Sequence, residues 1–269
     1  MAITTMDGLI AALAAAQRPP YQKANLTAVA GRTLSMWTAA GNPATGDITV
    51  GNSTAGAVPT SATTGAVLFT NPVSGNTHIA RAEGINGSTG AIVIWDMLYS
   101  WASPTGWVAT TTGAQSTVSP PALTRPDANG TNTELWVETL AAGGAASGTS
   151  TITYTNSAGT GSRTASLLAT KISSPPIGTM EQYALAAGDN GVKSIQSINN
   201  SATWTSGTFR VMILRRLLTI PASTNVAFML DALATGLPKV DDSACLLVSF
   251  TANSTATGPL SMNLALAQG

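Results

Sequence analysis

The pattern of hydrophobic and polar positions changes character once, at Pro19-Pro20. Before it, Met6, Leu9, Ile10 and Leu13 recur at i, i+3, i+4 and i+7, which lines up one apolar stripe on a helix. Ala11, Ala12, Ala14, Ala15 and Ala16 fill the remaining positions with strong helix formers. Thr4 or Thr5 can cap the helix, Asp7 sits in the first turn where the macrodipole favours an anion, and Pro19-Pro20 stops it. The stripe must be covered either by its own domain or by a neighbouring subunit. The second reading, a detachable arm, is preferred because the prolines interrupt the chain where such a segment would end.

After Pro20 the period shortens to two. Strands are predicted over residues 33–38, 48–50, 66–69, 77–83, 134–140, 150–155, 164–170, 180–184, 192–198, 208–218, 225–230, 244–251 and 260–266. The most hydrophobic run, 91–101, holds Trp95, Tyr99 and Trp101 and reads as a buried strand or a short helix. The strand over 48–50 lies inside a Gly, Pro, Thr and Ser-rich loop, 41–65, which is a candidate reaching element. Short strands at this spacing, separated by turns such as 156–159 and 189–191, predict a mainly β fold. The expected architecture is an antiparallel β-sandwich, jelly-roll-like, with a short N-terminal α-helix. Pro120, Pro121 and Pro126 mark an internal boundary. They divide the chain into a helical arm (1–24), a β region with long loops (25–125) and a sandwich region (126–269). The two β regions can also be read as one continuous domain.

Composition narrows the function classes. Hydrophobic residues make up 44% of the 269-residue chain, enough for a large core, but only 5% are aromatic. Charged residues are 9%, against about 25% in an ordinary globular protein. The 12 basic residues equal the 12 acidic ones, so nothing favours binding to nucleic acid. A surface without net charge lacks self-repulsion and associates readily, which points to homo-oligomers, a trimer or a dimer. No run approaches the roughly 20 apolar residues of a membrane helix. Residues 3–16 have the length of a signal-peptide core, but no basic residue precedes them and Asp7 interrupts them, so the segment is read as part of the mature fold.

The inventory of chemistry is short. There is one histidine, His78, in an alternating strand, and one cysteine, Cys245, which can form no intrachain disulfide. No phosphate loop, nucleophile elbow or metal-spaced cluster is present. Glu134 and Glu138 share a strand face but would stand about 13 Å apart, beyond the roughly 5–9.5 Å of a hydrolase pair. They are assigned to a solvated face opposite Leu135, Val137 and Thr139. Asp96, among aromatics, is the best single candidate for an acid with a raised pKa. Asp241-Asp242 is a fragment of a calcium site at most and reads as a solvated loop. The six tryptophans could stack sugars but fit core or subunit-contact positions better. Arg210, Arg215 and Arg216 stand out in a chain so poor in charge. Arg210 and Arg216 share strand parity and Arg215 opposes them, so a bulge is expected near 215–216. They serve either local ion pairs or an intersubunit clamp. No catalytic residue, metal or cofactor is assigned. The low-charge composition points to a structural or binding role.

Three stretches resemble pieces of tailed-bacteriophage virion proteins. They are residues 69–81 (FTNPVSGNTHIAR), residues 213–221 (ILRRLLTIP), and the opening, a short Ala-rich helix followed by Arg18-Pro19-Pro20 and residues 28–37 (AVAGRTLSMW). The Thr, Ala, Gly and Ser bias is similar to that of head-decoration (cement) proteins. The resemblance implies a β-rich subunit made in the host cytoplasm and carried in many copies on the capsid surface. It would contact the major capsid protein and copies of itself, with no nucleic acid or membrane as partner. On this reading Met6, Leu9, Ile10, Leu13, Arg215 and Arg216 are the interface candidates. The alternative it leaves open is a receptor-binding, tail or head-fibre module that recognises a host-surface glycan.

Overall fold

The structure, a computed structural model, describes residues 5–145, 149–169 and 172–269. It is mainly β, with antiparallel sheets and two short helices among the described residues. In chain order the elements are α1 (Met6–Ala14), β1 (Pro20–Lys23), β2 (Thr33–Ser35), β3 (Gly41–Asn42), β4 (Thr77–Asn86) and β5 (Gly90–Ala102). Then come β6 (Gly113–Ser116), β7 (Glu134–Ala141), β8 (Ser150–Asn156), β9 (Arg163–Leu167), β10 (Thr179–Ala184) and β11 (Val192–Asn200). The chain ends with β12 (Thr208–Ala222), β13 (Ala227–Leu230), α2 (Ala232–Thr235), β14 (Lys239–Val240), β15 (Leu246–Ala252) and β16 (Leu260–Gln268).

The centre is a closed six-stranded barrel. Strands pair in the order β2-β15-β5-β12-β7-β10, and β10 pairs back onto β2 through Thr179 opposite Leu34 and Met180 opposite Thr33. Closure removes both edges that an open sheet would expose. Alternate residues point into the lumen: Val93, Trp95 and Met97 from β5, Met212 and Leu214 from β12, Trp136 from β7 and Leu247 from β15 form one buried cluster. The ring takes strands from both sides of the Pro-rich segment 119–130.

The outward faces of the same strands build two further cores. Ile92 and Ile94 of β5 with Val248 and Phe250 of β15 pack against a second sheet, ordered β13-β4-β16-β1-β3, through Ile79, Leu264 and Leu266. On the other flank Val211 and Ile213 of β12 and Leu135 of β7 pack with Ile152 and Tyr154 of β8 and Ile195 of β11. There the barrel sheet continues from β10 through β9, β8 and β11 to β6.

Several expectations are corrected. Residues 48–50 are a turn and 66–69 are not a strand, and the segment predicted over 33–38 keeps strand geometry only in β2. The run 91–101 is strand, not helix, because it is buried on both faces between cores. Part of the predicted strand 164–170 and the alternative cap Thr4 lie outside the described residues. The bulge on β12 falls at Leu217, just beyond Arg215-Arg216, where Arg216 pairs Trp95 and Leu218 pairs Ile94.

The long loop does not reach outward. Beyond Asp96, β5 runs out of pairing with β15, and the loop takes that place. Ala57 and Ser100 exchange two backbone hydrogen bonds of 2.9 Å, and the Ala102 N–H donates to Gly51 O at 2.9 Å. Tyr99 OH donates to Ala55 O and Ser100 Oγ to Val50 O, both at 2.7 Å. Gly51 has φ +81° and a Cβ there would lie 2.1 Å from Ser100 O, so the close approach requires glycine. The loop is a clamp on the β5 edge.

Candidate functional site

Eleven of the 24 charged residues are drawn into three knots. Inside the barrel Arg210 of β12 lies directly opposite Glu138 of β7, and its Nε donates to Glu138 Oε2 at 2.6 Å. The guanidinium stacks 5.0 Å from the Trp37 ring. Both side chains are wholly buried. Glu138 is therefore not on a solvated face: the face shared with Glu134 is the barrel lumen, where an ion pair replaces water. Burial pushes the Glu138 carboxyl up from its ordinary value, and the Arg210 charge opposes the shift.

Glu134, at the lumen's end, accepts hydrogen bonds from Trp136 Nε1 (3.0 Å), Gln182 Nε2 (2.8 Å) and Arg216 Nε (3.1 Å). Arg216 lies 4.6 Å above the Trp95 ring, and Trp95 Nε1 donates to Ser249 Oγ at 2.7 Å. Trp95 and Trp136 meet edge to face at 5.5 Å. The tryptophan layer thus rests on its own hydrogen bonds.

The second knot is on the outer face of β5. Asp96 accepts from Arg125 Nε at 3.0 and 3.1 Å and from the Cys245 N–H at 3.1 Å. Arg125 is buried too, and its Nη2 donates to Pro59 O at 2.6 Å and Met97 O at 2.9 Å. Arg215 lies 3.7 Å from Asp96 and 2.8 Å from Asp241, which Lys239 also approaches at 3.1 Å. The knot ties the Pro-rich segment and the loop clamp to the barrel wall. Burial raises the Asp96 carboxyl, as the sequence suggested, and Arg125 and Arg215 pull it back. Asp96 sits mid-strand, not at a helix or turn terminus. Asp241 is nearly buried and ion-paired, so the expectation of a solvated loop holds for Asp242 alone. Burial also pushes the Cys245 thiol up to about 12.

The third knot is at the surface. Asp189 accepts from Tyr154 OH at 2.5 Å, Asn156 Nδ2 at 2.7 Å and Arg163 Nε at 2.9 Å, and these bonds hold its carboxyl down at about 2. Lys23 is a separate case. Its ammonium is buried and donates to the carbonyls of Ala39 (3.0 Å), Pro43 (2.7 Å) and Ala44 (3.2 Å). Desolvation pushes it down to about 8.

Sequence reasoning missed Arg125, Asp189 and Lys23. The available signal for Arg125 was its place as the one basic residue of the Pro-rich segment 119–130. His78 is half-buried, with Nδ1 2.9 Å from Leu237 O. All six tryptophans are at most 5% exposed, so none presents a free face for a sugar. Among the described residues no group of three His, Cys, Asp or Glu side chains could hold a metal, and no helix is long and apolar enough to cross a membrane.

The helical stripe is split. Thr5 caps α1 by accepting from the Gly8 N–H at 3.0 Å. Leu9 and Leu13 are partly covered, while Met6 is 70% and Ile10 58% exposed, and α1 buries no residue completely. The chain is fixed just after it: Gln17 and Thr70 exchange two hydrogen bonds of 2.8 and 2.7 Å, and Gln17 bridges Leu266. The chain is therefore fixed from Gln17 onward, ahead of Pro19-Pro20. Arg215 and Arg216 are both ion-paired within the chain, with Arg216 still 45% exposed. In comparisons with family models, curated proteins and solved structures, the chain matches none.

Proposed function

We propose that the chain is a structural subunit of a tailed-bacteriophage particle, a head-decoration (cement) protein on the capsid surface. It binds the major capsid protein and copies of itself through extended outer surfaces and stabilises the shell. One observation carries this reading: the barrel lumen is filled. Barrels that hold a ligand or a reaction keep a chamber or a mouth for it. Here Trp95, Trp136, Met212 and Leu214 occupy the lumen and the Glu138–Arg210 pair crosses it. Such a body works by its outside, and repeated weak contacts on a lattice gain strength by effective concentration. The sandwich-like, jelly-roll relation to other virion proteins belongs to the same proposal, supported by the second sheet layered over the barrel wall.

The test is co-sedimentation of purified protein with shells that lack it, together with quantitative mass spectrometry of whole particles. The expected result is a high, fixed copy number and shells that resist heat better once decorated. Failure to bind shells, with no peptides in purified particles, overturns the proposal.

A further inference from the structure

We propose that Asn190 is a self-modifying site: the backbone nitrogen of Gly191 attacks its side-chain amide, ammonia leaves, and water converts the residue to aspartate or isoaspartate. This goes beyond the reading above and does not depend on it.

The chain has three Asn-Gly pairs: Asn86-Gly87, Asn129-Gly130 and Asn190-Gly191. Asparagine is thermolabile, and a glycine after it leaves the attacking nitrogen least hindered because it has no Cβ. The fold separates these three identical dipeptides. Asn86 is 1% exposed, and its Nδ2 donates to Ser88 O at 2.7 Å and Thr257 O at 3.0 Å. The Gly87 N–H is taken as well, by Pro259 O at 3.0 Å. Asn129 is exposed but sits in a turn closed by Asp127. There Asp127 Oδ1 accepts from the Asn129 N–H at 2.7 Å, and the Asp127 carbonyl from the Gly130 N–H at 3.4 Å. The carboxylate also opposes the negative nitrogen that the attack requires.

Asn190 differs from both. It is exposed, and among the described residues no partner holds its side-chain amide. Its carbonyl accepts from the Asn132 N–H at 2.9 Å, and Gly130 O accepts from the Val192 N–H at 3.1 Å. Those two bonds flank Thr131 and Gly191, which therefore face each other as a non-hydrogen-bonded pair. The Gly191 carbonyl accepts from the Ser157 N–H at 3.1 Å, and the Gly191 N–H is left out of all three bonds. The crossing also explains why glycine stands there: a Cβ at Gly191 would lie 2.1 Å from Gly130 O.

The chemistry needs only water. Gly191 N gives its proton to solvent base and bonds to Asn190 Cγ, while the Cγ–Nδ2 bond breaks and ammonia departs. The cyclic imide left behind takes up water at either carbonyl. Opening at the side-chain carbonyl gives aspartate, and opening at the main-chain carbonyl gives isoaspartate, which lengthens the backbone by one methylene. Either product sets a new carboxylate beside Asp189, which holds Tyr154, Asn156 and Arg163. It also ends the balance of 12 basic and 12 acidic residues.

The test is to hold the full folded chain in mildly alkaline buffer and follow each Asn-Gly peptide by mass spectrometry with isoaspartate detection. Asn190 is expected to convert first, roughly tenfold or more ahead of Asn86, whose reaction waits on local opening. The same incubation in concentrated urea should bring the three rates within a few-fold of one another, because the dipeptides are then equivalent. Asn190→Gln, a change at an exposed position, should remove the earliest acidic species from the isoelectric-focusing pattern of the aged protein. An Asn190 that stays intact, or converts no faster than Asn129 or Asn86, overturns the inference. So does an acidic species that Asn190→Gln leaves unchanged. A ranking that survives urea overturns it too, since the cause would then lie in neighbouring residues and not in the fold.

Discussion

Glu138 and Arg210 face each other on neighbouring strands inside a closed barrel, neither touching solvent. A buried pair of this kind contributes little net stability when intact, but losing one partner strands a charge. Arg210→Met is therefore expected to cost about 3–5 kcal/mol, read as a lower urea midpoint. The double change Glu138→Leu with Arg210→Met should recover most of that loss. A single variant as stable as the wild type would show that the pair does not hold the lumen.

The Asp96 knot makes a different prediction. Asp96→Ala leaves Arg125 and Arg215 without their shared carboxylate, and Arg125 also holds Pro59 of the loop clamp. The expected result is global destabilisation of about 3–5 kcal/mol. Limited proteolysis should open within residues 50–60 before the barrel is cut. Cleavage elsewhere first would separate the knot from the clamp.

Acid should act on the surface knot. In the fold the Asp189 carboxyl sits at about 2, below its ordinary 3.8, chiefly because of Arg163 and Tyr154. Its contribution is fully present above the unfolded value and is lost as pH falls towards 2. Urea midpoints taken between pH 5 and 2 should therefore decline, and Asp189→Asn should flatten that decline. An unchanged slope would assign the acid sensitivity to other groups.

Truncation should distinguish the helix from its anchor. Removing residues 1–14 takes away a helix that buries no side chain completely, so the melting temperature should fall by no more than about 2–4 °C. Removing residues 1–20 also deletes the Gln17–Thr70 lock and the bridge to Leu266, and should cost clearly more. Equal effects would show that the Gln17 contacts add no stability of their own.

Residues 6–14 and most strands were legible in the sequence because their cues are local: period, caps and breakers. The parity that set Arg210 and Arg216 on one face and Arg215 on the other is likewise local and is what the structure has. Parity does not say what each face meets. Glu134 and Glu138 look solvent-facing beside Leu135 and Val137, yet that face closes into a lumen once β10 pairs with β2. The loop over 41–65 looks free because its partners, Tyr99 and Ser100, lie more than forty positions away for most of its bonds.

By itself the sequence determined the class of fold, the N-terminal helix and the poverty of chemistry, since these follow from neighbouring residues and composition. Only the tertiary structure decided which charges are buried, which partners they find and which half of the helical stripe stays exposed. Those outcomes depend on ring closure and on pairings between residues far apart in the chain, where a side chain's environment is set by the strand that arrives beside it. Arg125 shows the difference: the one basic residue of a Pro-rich segment in the sequence, it is in the fold the group that joins Asp96, Met97 and Pro59.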